Sequence, residues 1–348
     1  MNTLASRKDV AQLAGVSEAT VSRVFNNIGP LREETKRKVL LAAKDLDYHP
    51  NVIAQSFARG RSNNIGVIVP YLPKVNLMST NYFSDLLSGI GGELAERGYG
   101  LLLLFQKPDE PIDYLQHFRS QKVDGCIILG SKDIPGEVEA LEKLHQLDLP
   151  YCLVNQTFSG YSFHSIDADH RNGSFQAVTS LLNKGFKHVI FLNGPMEFSN
   201  SADRLKGYEE ALTKHGLNVD QRLLFEGNYS QKSGFQTAAK IAKLLPEYKA
   251  IFAANDRMAI GLMQGLSNLG YQAGRDYALV GYDDSEYSKM TSPPLSTVKV
   301  PLFEMGQLAT EKVLQLISKD SKGEMNVRLP VTLIERESSR GLPKYNKA

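Results

Sequence analysis

At the amino end of this chain, the side chains best equipped for chemistry are Glu18, Arg23 and a run of short polar groups, Ser17, Thr20, Ser22 and Asn26. An arginine can fork onto guanine O6 and N7, and a glutamate can accept from cytosine N4. A methyl such as that of Ala19 can touch the methyl of thymine. Hydroxyls and amides suit phosphate oxygens, which set register rather than sequence. The charge distribution agrees with nucleic-acid contact. Residues 1–61 hold ten Lys and Arg against six Asp and Glu, whereas the remainder holds 30 against 32. A small basic head on a mildly acidic body points to a polyanionic partner for the head alone.

Catalytic chemistry finds no foothold. Ser88–Leu94 (SGIGGEL) contains a G-x-G, but inside an amphipathic pattern rather than after a strand, and Leu94 stands where a third glycine is needed. The chain contains no GxxxxGK[ST], GxSxG or HExxH motif. The seven histidines, among them His164, His170 and His188, are scattered and read as solvated or packing residues. Cys126 and Cys152 lie in the apolar runs GCIIL and YCLVN and read as buried strand thiols, with no CxxC or Cys/His metal spacing. The expectation is a non-enzyme with no cofactor and no metal.

The 348 residues, 42% hydrophobic and 22% charged, allow two or three domains with a full core. That excludes the collagen-like, disordered and disulfide-scaffold classes. No run reaches the ~18 apolar residues of a membrane span. The polar start MNTLASRKDVAQLAG has no apolar signal-peptide core, so a cytoplasmic, reduced location is expected.

Three short helices must position the head's polar groups. Ser6 and Asp9 form an S-x-x-D start, with Val10, Leu13 and Ala14 as its apolar stripe, and Gly15 breaks that helix. Ser17 can cap a second helix, Glu18 to about Phe25, that buries Val21 and Val24. A third runs from about Arg32 to Leu46 with Val39, Leu40, Ala43 and Leu46 inward. Two helices joined by a short Gly-containing turn form a helix-turn-helix, whose second helix enters the major groove.

The stretch RKDVAQLAGVSEATVSRVFN (Arg7–Asn26) closely resembles the DNA-binding headpiece of the LacI/GalR family of bacterial repressors. The resemblance places Glu18, Ala19 and Arg23 at base-reading positions and implies double-stranded operator DNA as partner. Residues 49–60, HPNVIAQSFARG, resemble the family's hinge helix, which folds on DNA in the dimer and inserts an apolar side chain into the minor groove. Asn51 opens that helix. Phe57 stands where the family usually has Leu, a departure that puts wedge depth in question.

From residue 64 short apolar strands alternate with amphipathic helices, the signature of doubly wound parallel sheets. Strands are expected at 65–69, 100–105, 125–129 and 151–155, then again at 188–192, 223–226, 250–254 and 278–282. Two such units predict two lobes with a cleft at the strand C-terminal ends. The expected division is a headpiece over 1–50, a hinge over 51–63 and a core over 64–340. Within the core, lobe 1 takes 64–162 and 296–322, and lobe 2 takes 163–295 and 323–340. The segment 326–334 is read as returning to lobe 2.

NIGVIVP (64–70), VDGCIILGS (123–131), GFKHVIFLNGP (185–195), RLKGYEEAL (204–212), ANDRMAIG (254–261) and the segment 281–301 also resemble the LacI/GalR family, whose core is like a periplasmic sugar-binding protein. By that resemblance Tyr82, Phe83, Phe198, Asn200, Arg204, Tyr229, Asn255 and Asp283 face a small effector, with Ser131 and Asn155 at first-lobe strand ends as weaker candidates. Asp256 is read as either an effector contact or a helix cap. The residue chemistry suits a polyol, which needs paired donors and acceptors beside an aromatic face.

Phe198 stands where the purine-repressor branch has a basic residue. Arg204 is absent from the catabolite-control branch, which answers mainly to a phosphoprotein. The expectation is a homodimeric repressor of a carbohydrate-utilisation operon, switched by a small sugar. The alternatives are a global regulator under a phosphoprotein coeffector, or one answering a non-sugar metabolite. A pure sugar receptor would lack the head.

Overall fold

The computed structural model describes residues 5–26, 28–49, 60–72, 77, 80–320 and 326–340. They fall into two compact units, one of residues 1–64 with 116–124 and one of residues 65–115 with 125–348.

In the first unit, the Ser6 hydroxyl accepts from the Asp9 amide at 3.3 Å while the Asp9 carboxylate accepts from the Ser6 amide at 2.8 Å. This capping box opens α1 (Arg7–Ala14), and Gly15 closes it in the left-handed region at φ 68°. Ser17 Oγ accepts from the Thr20 amide at 3.1 Å, at the start of α2 (Glu18–Asn26). With α3 (Glu33–Asp45) these helices bury Val10, Ala11, Val21, Val24, Val39, Ala42 and Ala43. Leu13 and Leu40, expected inward, are exposed at 55% and 46%. The inward stripe of α3 runs through Val39, Ala42 and Ala43, whose small side chains admit close packing, and Leu40 lies about 100° round the helix from Val39. Asp124 accepts from the Ser62 and Asn63 amides at 2.7 and 2.8 Å and so pins the chain just before the first strand.

The second unit repeats one design. Its first sheet contains β1 (Asn64–Pro70), β2 (Gly100–Gln106), β3 (Gly125–Leu129), β4 (Tyr151–Val154), β5 (Ser165–Ala168) and β11 (Asn326–Leu329), in the order β2-β1-β3-β4-β5-β11. Its second contains β6 (Ile190–Asn193), β7 (Leu224–Glu226), β8 (Ala250–Ala253), β9 (Ala278–Asp283), β10 (Ser296–Lys299) and β12 (Thr332–Ile334), in the order β7-β6-β8-β9-β10-β12. Only β12 is antiparallel to its neighbour among the registered pairs. The first lobe's helices are α4 (Asn81–Glu96), α5 (Leu115–Arg119) and α6 (Pro135–Gln146). The second lobe's are α7 (His170–Asn183), α8 (Ser199–Lys214), α9 (Gln231–Ala242), α10 (Asp256–Asn268) and α11 (Glu286–Met290). The long helix α12 (Leu302–Ser318) packs back on α4 in the first lobe.

Sheet membership corrects the expected lobe boundaries. β5 lies in the first sheet, beyond the expected boundary at 162/163, and β10 lies in the second, whereas 296–322 is expected in lobe 1. β11, read with lobe 2, pairs with β5, and only β12 joins the second sheet. The four residues of β5, SIDA, carry no apolar run, so nothing local marks them as a buried strand. The chain therefore crosses between lobes three times, after β5, β10 and β11. Cys126 and Cys152 are fully buried in β3 and β4, as their apolar runs require.

Candidate functional site

The outer face of α2 carries Glu18, Ala19 and Arg23, all exposed. Arg7 Nε lies 3.1 Å from Glu18 Oε2 and orients that carboxylate. Arg23 Nε donates to the Ile28 carbonyl at 3.3 Å, which steadies the stem of the guanidinium while the side chain stays at the surface. Ser17, Thr20 and Ser22 flank this face. Asn26 does not share their exposure, for it is buried and donates to Ser22 Oγ at 3.2 Å. Asn51 and Phe57 lie outside the described residues.

The second polar cluster forms where the strands of the two sheets end. Tyr229 is its hub. Its hydroxyl donates to Asn200 Oδ1 at 2.9 Å, accepts from Arg204 Nη1 at 3.2 Å and shares a short hydrogen bond with Ser201 Oγ. Asn200 Nδ2 reaches across to the Asn155 carbonyl at 3.3 Å. Phe198 meets the Tyr229 ring edge-on at 5.8 Å, and the Lys132 ammonium lies 5.6 Å from the Phe198 centroid. The phenol end of Tyr229 packs against Gly194, where any Cβ would overlap it. Tyr82, on the first lobe, feels Asp283, Arg204 and Tyr229 as its nearest charges and has Asn155 beside it.

Arg204 is 2% exposed, with its guanidinium carbon 4.2 Å from the Tyr282 centroid. Burial opposes its charge, but Tyr229, Tyr282 and Asp283 together hold it firmly protonated. Asp283 is pushed well above the usual carboxylate range by burial and by its neighbour Asp256, against the pull of Arg204 and Arg257. Among the buried polar atoms with no hydrogen-bond partner in the described residues are Arg204 Nε and the Tyr82 hydroxyl of this cluster, and Ser131 Oγ just beyond β3. Asn155, Tyr229 and Asp283 adopt left-handed backbone angles, φ 63°, 63° and 109°. Such conformations cost of order 1–3 kcal/mol in a non-glycine residue and concentrate at binding sites. A cluster with unspent donors, an aromatic wall and the Asp283 carboxyl can hold a compact polyhydroxylated molecule.

Of the ten expected effector residues, Tyr82, Asn155, Phe198, Asn200, Arg204, Tyr229 and Asp283 thus gather in one cluster. Phe83 lies behind Tyr82 in the core, ring centroids 5.0 Å apart. Asn255 is the cap of α10: its Oδ1 accepts from the Met258 amide at 2.9 Å and its Nδ2 donates to the Tyr229 carbonyl at 3.1 Å. It therefore holds the Tyr229 turn in place. Asp256 does not cap that helix. It accepts from Ser285 N and Thr297 Oγ1 at 2.8 and 2.6 Å, and burial raises it to about 7. Sequence reasoning missed Tyr282, Ser201 and His170, the last because a lone histidine after an unrecognised strand carries no spacing signal.

A seam of hydrogen bonds joins the two lobes beside this cluster. Gln156 Oε1 accepts from the Ser199 amide and hydroxyl, both at 3.0 Å, and Ser199 Oγ accepts from the Thr157 amide at 2.9 Å. The Asp133 amide donates to the Glu197 carbonyl at 2.7 Å, and Lys132 pairs with the Glu197 carboxylate.

A helix-turn-helix unit joined to a pair of doubly wound lobes around a polar cleft defines a ligand-responsive DNA-binding regulator. Residues 7–51 match the family described as bacterial regulatory proteins, lacI family, and residues 178–339 match the periplasmic binding protein-like domain. The chain is 32% identical to the HTH-type transcriptional regulator RegA of Clostridium saccharobutylicum, over 96% of its own length and 99% of the relative's. A lac repressor dimer bound to operator and the anti-inducer ONPF superposes with a TM-score of 0.83 at 28% identity, covering 97% of this chain and 100% of that one. A CelR–cellobiose complex superposes with a TM-score of 0.71 at 27% identity, covering 96% and 100%. The chain belongs to the LacI family of bacterial regulatory proteins. It is a DNA-binding transcriptional regulator and not an enzyme.

Proposed function

We propose that the protein is a cytoplasmic, homodimeric repressor of a carbohydrate-utilisation operon, released or recruited by a small sugar in the interlobe cleft. The observation that carries this reading is the buried cluster around Tyr229 and Arg204, with Arg204 Nε and the Tyr82 hydroxyl unspent and Asp283 at the end of β9. Those groups match the hydroxyls and ring oxygens of a sugar, and Phe198 and Tyr229 supply the face for its C–H side. The cellobiose complex among the similar structures supports the same ligand class. The headpiece is assigned to 1–50 and the hinge to 51–63. Glu18, Ala19 and Arg23 read bases, with Asn51 and Phe57 in the hinge.

Fluorescence anisotropy at fixed salt tests the reading, using the palindrome nearest the protein's own promoter with and without a panel of mono- and disaccharides. Salt is held constant because phosphate contacts alone move affinity by orders of magnitude. A shift by one sugar sustains the proposal and gives its sign. Tight DNA binding indifferent to every sugar would favour a protein coeffector. Arg204→Ala and Asp283→Ala are expected to abolish the response while operator binding survives, and a normal response in both would move the site elsewhere.

A further inference from the structure

His170 is the first residue after the crossover from β5 to α7 and is fully buried. Its ring touches both lobes. Nε2 lies 2.6 Å from Asn155 Oδ1, at the end of first-lobe strand β4. Nδ1 lies 3.3 Å from Arg204 Nη2 on α8 and 3.2 Å from the Tyr282 hydroxyl on β9, both in the second lobe. Asp167 on β5 approaches Nε2 to 3.7 Å, and Arg328 on β11 bridges Asp167 and Asp203 at 3.4 and 3.5 Å.

A guanidinium only donates, so Nδ1 must accept and the proton must sit on Nε2. Nε2–H then requires an acceptor, which turns the Asn155 amide oxygen toward the ring and its NH2 toward Tyr82 and the cleft. We infer that His170, held as the neutral Nε2–H tautomer, is a positioning residue through which Arg204 of one lobe fixes the amide of Asn155 in the other as a hydrogen-bond donor to the effector. Burial and the neighbouring Arg204 and Arg328 cations all press His170 toward the neutral form, well below the ordinary histidine range. The atom of the ligand facing Asn155 is then an acceptor, a ring or glycosidic oxygen or a hydroxyl lone pair. This inference rests on the sugar-effector reading for its consequence, but not for its tautomer.

Two measurements on the full chain decide it. The first uses no ligand: selective 15N-histidine labelling with the His170 signal assigned from His170→Gln. The expected result is Nε2–H at pH 7 with no titration down to pH 5.5. An Nδ1–H tautomer, or protonation above pH 6, overturns the inference.

The second is calorimetric titration with cellobiose and ribose, beside operator binding without sugar. His170→Leu should weaken whichever sugar the wild type binds at least tenfold with operator affinity kept. His170→Gln, whose amide can both donate and accept, should restore it to within about threefold. In an Asn155→Ala background His170→Leu should cost far less than in the wild type, because the path is already cut. Unchanged sugar affinity in His170→Leu, or equal costs in both backgrounds, overturns the inference. Loss of sugar and operator binding together in His170→Leu, with no rescue by Gln, marks a merely structural histidine and overturns it as well. If the wild type binds neither sugar while the tautomer is as expected, the ligand reading fails and the proton placement stands.

Discussion

At the scale of single residues, the two functions of the chain rest on opposite electrostatic settings. Arg23 is exposed, and its Nε donates to the Ile28 carbonyl, so the guanidinium is steadied while it stays at the surface where a base edge can reach it. Arg23→Ala is expected to weaken operator binding by about 1–3 kcal/mol and to relax base choice at one position. Anisotropy on a set of single-base operator variants checks this, and uniform weakening on all of them would show a phosphate contact instead. Away from both sites, Glu137 in α6 is buried against the Tyr114 hydroxyl, and burial raises its carboxyl from 4.5 to about 6. The folded state thus holds that proton more tightly than the unfolded chain. Its contribution to stability is complete below pH 4.5 and is lost as pH rises through about 6, a change of about 2 kcal/mol. Urea denaturation of wild type and Glu137→Gln at pH 4.5 and 7 should show that pH-linked loss in the wild type and little of it in the variant. Words such as SEATVSRVFN and GYDD single out candidate residues at the head and cleft from sequence alone, whereas the contacts of His170 with Asn155, Arg204 and Tyr282 arise only when three elements meet.

At the scale of elements, legibility followed periodicity. The capping box at Ser6, the glycine stop at Gly15 and the strand runs GCIIL and YCLV stand where apolar spacing put them. β5 failed because its burial comes from neighbours on both sides rather than from its own composition. Asn255 shows a different limit: an amide at a strand end can face ligand or cap the next helix, and only the bond to Met258 separates the two. The turn that presents Tyr229 depends on this cap and on bare backbone at Gly194. Gly194→Ala should displace the Tyr229 ring and lower effector affinity by at least tenfold, with the thermal transition shifted by only a few degrees. Calorimetric titration with the active sugar beside a melt measures both, and full affinity in this variant would mean that Tyr229 is not held by that packing.

At the scale of the whole molecule, the repeated strand order shows two copies of one doubly wound plan, yet neither lobe is a continuous stretch of chain. The second sheet needs β10 and β12 beyond residue 295, and the first needs β11 from near the end. A fragment of residues 163–295 leaves the edge of β9 unpaired and carries β5 without its partners, so it should show no cooperative urea transition. A sharp single transition in circular dichroism would contradict this. The Gln156–Ser199 and Asp133–Glu197 seam acts together with the three crossovers. On the proposed reading, a sugar held between lobes that part to release it would have its residence time set in part by bonds that never touch it. Two regulators of equal affinity for one sugar would then differ in how long transcription outlasts its disappearance, and Ser199, which bonds both Gln156 and Thr157, is the side chain at which such a difference would arise.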